Sequence, residues 1–418
     1  MATSDTRQKN LDDMVRIPPL AYERQSWVPQ HPQIFSNAEI KRQTGPYDSA
    51  VTPPIASWEA EVNAPLSAEV EQATQALQKF DLYSQLRLEA DSPELGPMSS
   101  ILLRTESASS SQIEALSTSA RQLALAELDE GHKQNARTVI GNVRAMEAAL
   151  KLSEHLDRSS ILAMHQELLS HQSGMEEEAG RFRKELVWVG GSDTAGPRGA
   201  SFIAPQHSRV VRAIDDLVLF MNRQDLPVLT QIAVAHAQFE TIHPFVDGNG
   251  RTGRALAQSM LRNKKLSQYS TAPISAGILR NTTGYFQALE AYRSGNAAPI
   301  IRIFANASIY AAVTGEELVD SLATEIDEAR KRLQGIRSNS TAWKVLPLLI
   351  GQPIINAAYL KSHLGINDSV AHRALDVLSS TGVLQEKSGQ NRNRIWQHSG
   401  VIKILDEYAK GIRRLATS

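Results

Sequence analysis

The chain of 418 residues contains no cysteine. That absence removes disulfide frameworks, Cys-ligated zinc and thiolate nucleophiles together, so any base or nucleophile must be imidazole or oxygen. Long apolar runs are missing as well. The most hydrophobic stretch, Ile300 to Val313, is broken by Arg302 and Asn306 and is shorter than the ~20 residues a spanning helix needs. The first residues, MATSDTRQKNLDDMVR, interleave acids and bases without the apolar centre of a signal peptide, so a soluble, cytoplasmic protein with no membrane partner is expected. No GKS or GKT closes a phosphate loop and no GxGxxG follows a strand, which sets aside the commonest nucleotide motifs. A large charge of one sign is lacking too, the formal net charge being −1. That value hides a split, because residues 341–418 hold ten Lys or Arg against five Asp or Glu while the rest of the chain is net negative.

What is present is mainly helical patterning, over a length that suits two to four folded units at ~100–200 residues each. The first ~60 residues, rich in Pro and polar side chains (IPPLAYERQSWVPQHPQ, VTPPIASWE), read as an irregular arm docked on a domain by its Trp and Tyr residues. LSAEVEQATQALQKFDLYSQL predicts a helix from Leu66 to about Leu86 with Ser67 as its N-cap. A polar break spans Asp91 to Pro97. Ile113, Leu116, Ala120 and Leu123 then fall at steps of three and four, which predicts a helix ending near Gly131, led into by the Ser-rich run 107–111. From Ala136 to Val313 the patterning is helical except for FRKELVWVGG and ASFIAPQ, two β-prone runs that predict a hairpin. Glu316 to Arg337 reads as a linking helix. TAWKVLPLLI, NAAYLKSHLG and SVAHRALDVLSS predict three short helices, and GVLQEKSGQNRNRIWQ two strands, together the pattern of a winged helix-turn-helix. The predicted fold class is mainly α, divided at 1–95, 96–131, 132–315, 316–340 and 341–418.

Chemistry concentrates in HPFVDGNGRTGR, His243 to Arg254, between two helical patterns. Gly248, Asn249 and Gly250 let the backbone turn into a helix whose first amides suit an anion. Arg251 and Arg254 lie three residues apart on its first turn, within reach of polyphosphate oxygens. Asp247 offers one hard oxygen, suited to Mg²⁺ held mainly by phosphates and water. His243 is the one group here that serves as a base near neutral pH. Together they describe a phosphate-transfer site. His236, Glu240 and His243 form HxxxExxH, which is not the zinc-protease spacing; His236, His165 and His171 read as structural.

The segment resembles the Fic signature H-x-F-x-(D/E)-G-N-G-R-x-x-R at every specified position. The resemblance implies a helical core that transfers AMP from ATP to a Ser, Thr or Tyr hydroxyl of a target protein or of itself. His243 would be the base, Phe245 an anchor and Asp247 the Mg²⁺ ligand. Gly248, Asn249 and Gly250 would form the anion hole, with Arg251 toward the β-phosphate and Arg254 toward the γ-phosphate. The hairpin at Ala200, Ser201, Phe202 and Ile203 resembles the family's flap, which holds the target by main-chain pairing. Tyr285 and Phe286 stand where relatives place aromatic contacts to adenine.

Ser110 to Glu114 resembles the family's inhibitory motif (S/T)-x-x-x-E-(G/N), with Ala115 departing from it. The resemblance implies a brake in which Glu114 pairs with Arg254 and displaces the γ-phosphate. In the C-terminal segment Arg373, Lys387, Arg392 and Arg394 would meet duplex DNA, or a protein surface instead. The alternatives left open are a regulator whose Fic domain senses nucleotide and another Fic reaction, such as UMP transfer or removal of AMP; a homodimer is compatible with each.

Overall fold

A computed structural model describes residues 14–30, 32–87, 95–131, 133–190, 195–387 and 394–416. An N-terminal hairpin, β1 (Ala21–Trp27) and β2 (Gly45–Val51), encloses α1 (Asn37–Gln43); α2 (Ala64–Arg87), α3 (Leu95–Ile113), α4 (Ala120–Glu127), α5 (Gln134–Lys151) and α6 (Arg158–Leu169) follow. A second hairpin, β3 (Trp188–Val189) and β4 (Phe202–Ile203), precedes α7 (His207–Met221), α8 (Val228–Ile242) and α9 (Asn249–Asn263). Then come α10 (Ile274–Leu279), α11 (Thr282–Arg293) and α12 (Ala298–Arg332). The chain closes with α13 (Thr341–Val345), α14 (Leu348–Gly351), β5 (Ile354–Ile355), α15 (Ala357–Leu364), α16 (Asp368–Ser380), β6 (Gln385–Glu386), β7 (Trp396–Gln397) and α17 (Ser399–Ala416). The fold is mainly α with small antiparallel sheets. Among the described residues no helix is long and apolar enough to cross a membrane. Two compact units result: Met1–Glu71, Ala148–Lys264 and Thr283–Ala305 form one, and Gln72–Glu147, Lys265–Thr282 and Asn306–Ser418 the other.

The first unit is organised around α8, buried on every face from Leu229 to Ile242. Although it carries Gln231, His236, Gln238 and Glu240, it lies at the centre of the core, and α7 and α9 pack directly on it, with α6 on α9. The arm is not irregular. Its strands pair in register from Ala21↔Val51 to Trp27↔Gly45, and Tyr47, Ser49 and Ala50 are buried. The hairpin forms because one edge of it finds a partner: Ser49 Oγ donates to Ala204 O (2.9 Å), and Ala50 packs with Phe202 and Ala204. Helix α2 starts two residues before the predicted point. Asn63, not Ser67, caps it, its Oδ1 accepting the Leu66 N–H at 2.9 Å, and Pro65 sits in the first turn where no N–H is needed.

In the second unit the Ser-rich run lies inside α3 instead of leading into a later helix. Ser107 Oγ donates to Leu103 O and Ser111 Oγ to Ser107 O, both at 2.9 Å; bonding back to the i−4 carbonyl satisfies a buried hydroxyl within a helix. Helix α3 then stops at Ile113. Leu116 N bonds to Ser111 O and Ala115 N to Gln112 O, each at 3.0 Å, with Ala115 at φ 59°. This is a Schellman terminus with Glu114 at the C-cap and Ala115 in the left-handed position. The predicted helix through Ile113 and Leu123 is therefore broken, and α4 begins beyond Ser119, whose hydroxyl accepts the Gln122 N–H. The linking helix expected from Glu316 is the continuation of α12, 35 residues without interruption. Gly315 does not break it: Phe80 fills the space a side chain would take, 2.7 Å from an added Cβ. TAWKVLPLLI divides into α13 and α14 at Pro347, and α15 and α16 flank Gly365 ahead of a sheet ordered β5-β7-β6. The amphipathic α17, which buries Val401, Ile402, Leu405 and Ile412, was not foreseen, although its apolar spacing is present in the sequence.

Candidate active site

His243 ends α8 as its C-cap, in the left-handed region at φ 49° and ψ 61°. Its Nδ1 lies 3.2 Å from Glu240 O. A carbonyl oxygen only accepts, so Nδ1 donates there, and Nε2 is the nitrogen that bears the lone pair whenever the ring is neutral. The turn that follows is closed by one side chain: Phe245 N donates to Asn249 Oδ1 and Asn249 Nδ2 to Phe245 O, both at 2.9 Å. Phe245 is fully buried, stacked on His165 with ring centroids 3.6 Å apart. Gly248 starts α9 at φ 77°, and a Cβ there would lie 2.7 Å from Leu168 Cδ2. Gly253 serves close packing instead, since an added Cβ would be 2.9 Å from Glu240 Oε1 and 3.0 Å from Phe239 Cδ1.

The two arginines of the motif are interior. Arg251 is 3% and Arg254 2% exposed. Arg251 Nη2 donates to Asp247 Oδ2 at 3.2 Å, whereas its buried Nε and Nη1 have no hydrogen-bond partner among the described residues. A buried cation with unused donors is costly unless an anion joins it. Asp247 also accepts from Gln172 Nε2 at 3.0 Å, and its side chain is 44% exposed. Burial pushes its carboxyl up, but Arg251, Gln172 and the Gly248 N–H outweigh that and hold it below its ordinary value.

Three supports hold the turn; the sequence marks His165 as structural but gives no sign of its partners, nor of Arg183 or Gln172. Arg183, buried, donates Nε to His243 O (2.8 Å), Nη1 to Glu185 O (2.7 Å) and Nη2 to Pro205 O (2.6 Å), while its backbone N–H reaches Pro244 O (3.0 Å). One guanidinium thus ties the His243 turn to both roots of the β3–β4 hairpin. Burial lowers its pKa to about 10, leaving it charged near neutral pH. His165 Nε2 bonds Asp247 O at 3.0 Å and its Nδ1 accepts from Gly180 N at 3.1 Å. Burial, with Arg251 acting the same way, drops its pKa to about 4. Gln172 is the third. Only contacts between distant segments identify these residues, and no local motif announces them.

The other candidates fall as follows. Phe202 is buried and pairs with Val189, Ile203 with Trp188, and Ser201 N donates to Val189 O at 2.9 Å, with Ala200 just before. Tyr285 is buried with its hydroxyl 2.8 Å from His236 Nε2, whereas Phe286 is 50% exposed. Burial, then Arg254, lowers His236 to about 3. No group of three or more His, Cys, Asp or Glu able to hold a metal occurs among the described residues. Ser110 is buried in α3 and Glu114 exposed at its end, within the second unit. Of the C-terminal cations, Arg373 and Lys387 are exposed, Arg394 pairs with Glu386 and lies over the Trp396 ring at 4.8 Å, and Arg392 lies outside the described residues.

Residues 155–261 match the Fic/DOC family and residues 67–151 the Fic/DOC family N-terminal segment. Over 189 residues the chain is 27% identical to "Protein adenylyltransferase Fic" of Drosophila sechellia, covering 44% of this chain and 35% of that protein. The Drosophila erecta protein of the same name is 25% identical over 210 residues, 48% of this chain and 39% of the relative. The chain therefore matches little more than a third of the length of these curated relatives. A crystal structure of a Fic family protein from Desulfovibrio desulfuricans G20 shares the fold, at a TM-score of 0.50 and 20% identity over 83% of this chain and 98% of that one. With the signature intact at His243–Arg254, the chain carries a Fic/DOC-family domain preceded by the family's N-terminal segment.

Proposed function

We propose that the chain is a protein adenylyltransferase, moving AMP from ATP to a Ser, Thr or Tyr hydroxyl of a target protein or of itself. The observation that carries the reading is a histidine with Nδ1 committed to Glu240 O, four residues from a carboxylate and eight from a buried arginine with unused donors. Relatives named as adenylyltransferases support it. Nε2 of His243 takes the hydroxyl proton, the oxygen forms a bond to the α-phosphorus, and the bond to pyrophosphate breaks. General base and preorganised positive charge are the division of labour such a transfer needs. The α9 amides and Arg251 would hold phosphate oxygens. Asp247, a single half-exposed carboxylate of lowered pKa, fits Mg²⁺, which would neutralise phosphate charge. The β3–β4 hairpin would receive the target segment.

The same reading includes a brake. Glu114, at the C-cap of α3, would act against Arg254 where the γ-phosphate belongs. Residues 341–418 would form a winged helix-turn-helix, with duplex DNA a candidate partner through the exposed Arg373 and Lys387. A cytoplasmic setting is proposed with it. The test is labelling of protein by α-labelled ATP. His243→Ala should lose transfer by at least the ~10²–10⁴-fold a general base contributes while retaining nucleotide binding; wild-type labelling by that variant removes His243 from the role.

A further inference from the structure

The helix bearing Ser110 and Glu114 is built into the same compact unit as the C-terminal helices and hairpin. One polar link to them is Arg104, three turns before Glu114. Arg104 Nη1 donates to Gly351 O and, at 2.7 Å, to Gln352 Oε1. Gln352 Nε2 in turn donates to Ala124 O (2.8 Å) and Ile354 O (2.7 Å). One guanidinium and one amide thereby join α3, α4, the end of α14 and the start of β5. Apolar packing seals the junction: Ala124 and Leu125 of α4 cluster with Ile354 and Ile402, and Gly351 approaches Pro97 so closely that an added Cβ would lie 3.1 Å from Pro97 O. Arg121 Nε adds a bond to Gln397 Oε1 on β7 at 3.2 Å.

Other anchors serve the helix itself. Glu106 accepts from Ser275 N (2.8 Å) and Oγ (2.6 Å), and Asn142 Nδ2 donates to Ser107 O (2.8 Å) and Ser111 Oγ (3.2 Å). The Arg104 anchor, in contrast, ends on the C-terminal segment.

We infer that residues 341–416 are the regulatory handle of the inhibitory helix, with Arg104 as the positioning residue through which they hold Glu114 in place. This rests on the autoinhibitory part of the proposed function. Strain at the Gly351–Gln352 junction, produced when a partner engages the C-terminal segment, then loosens α3 and raises transfer. Removing Arg104 mimics that event without stranding a charge, since Glu127, 3.6 Å from Arg104, is also paired with Arg144 at 2.6 Å.

The experiment follows AMP adducts by intact-mass spectrometry on the 418-residue chain with ATP and Mg²⁺. Glu114→Gly sets the released rate. Arg104→Met should label itself about tenfold faster than wild type or more, as expected for loss of a charge-assisted anchor. Arg104→Lys, which keeps a cation and a donor but loses the planar fork, should label itself at a rate between wild type and Arg104→Met. A gain of activity does not arise from unfolding, so a merely structural role predicts no such rise. An Arg104→Met protein as silent as wild type while Glu114→Gly labels itself overturns this inference alone. Equal labelling by wild type and Glu114→Gly overturns the autoinhibitory reading and this inference together. Should Arg104→Met fail to fold, Gln352→Ala is judged by the same criterion.

Discussion

Ala115→Gly probes the one position where the segment proposed as inhibitory departs from the pattern it resembles. Ala115 sits at φ 59° in the left-handed slot of a Schellman terminus. An L-residue there carries roughly 1–2 kcal/mol of strain. Glycine removes it but has more freedom to lose on folding, about 0.5–1 kcal/mol, so the net gain is about 0.5–1 kcal/mol. The family's preference for Gly or Asn at this place thus has a backbone cause, and the Ala methyl weakens the helix end. Two compact units make a single global melt a poor readout. Local hydrogen exchange is the better assay, read at residues 115 and 116, whose amides donate to Gln112 O and Ser111 O. Exchange there should slow by about two- to fivefold in the variant, which is what 0.5–1 kcal/mol of local stability gives. Ala115→Val, β-branched at positive φ, should speed it. Unchanged or faster exchange in Ala115→Gly would refute the reasoning. A tighter terminus should also make Ala115→Gly label itself more slowly than wild type.

Gly248→Ala should impair ATP binding and destabilise the His243 turn, because the new methyl meets Leu168 Cδ2 at 2.7 Å on a backbone at φ 77°; calorimetric titration with ATP checks this, and wild-type affinity speaks against the anion-hole role. His165 and His236, held near pKa values of about 4 and about 3 by burial, should make the first unit acid-sensitive. Their folded values lie below the unfolded ~6.5, so the neutral state's contribution is complete above that pH and is lost as pH falls toward the folded values, by about 2 kcal/mol per histidine at pH 5. Protection of the α8 amides, corrected for intrinsic exchange, should therefore fall less between pH 7.5 and 5 for His236→Gln than for wild type, and equal losses would count against the burial argument.

The candidate catalytic turn is legible because its residues are contiguous: a candidate base, a carboxylate, glycines and arginines within twelve positions need only a helix on each side, and α8 and α9 supply them. The supports are legible only in part: His165 reads as structural, but Arg183 and Gln172 reach the turn across tens of residues, and no short-range pattern distinguishes a buried arginine bonded to three carbonyls from a solvated one. The arm reads as irregular because Pro46 and the flanking prolines mask a strand whose pairing depends on β1. The Ser-rich run misled for the opposite reason: serines favour caps when exposed, but here they are buried and bonded within the helix. Helix α3 ends where a left-handed residue is placed, and Ala115 gives no signal of that. The run from α12 through residue 316 shows the same lesson, Gly315 being a packing site against Phe80 and not a stop.

The most direct test of the central claim compares Glu114→Gly with the double variant Glu114→Gly/His243→Ala, each incubated with ATP and Mg²⁺ and weighed intact. The account predicts a mass increase of one or more AMP groups on the first protein and none on the second. An equal increase on both, or none on the first in the presence of any nucleoside triphosphate, would contradict a transferase built on His243.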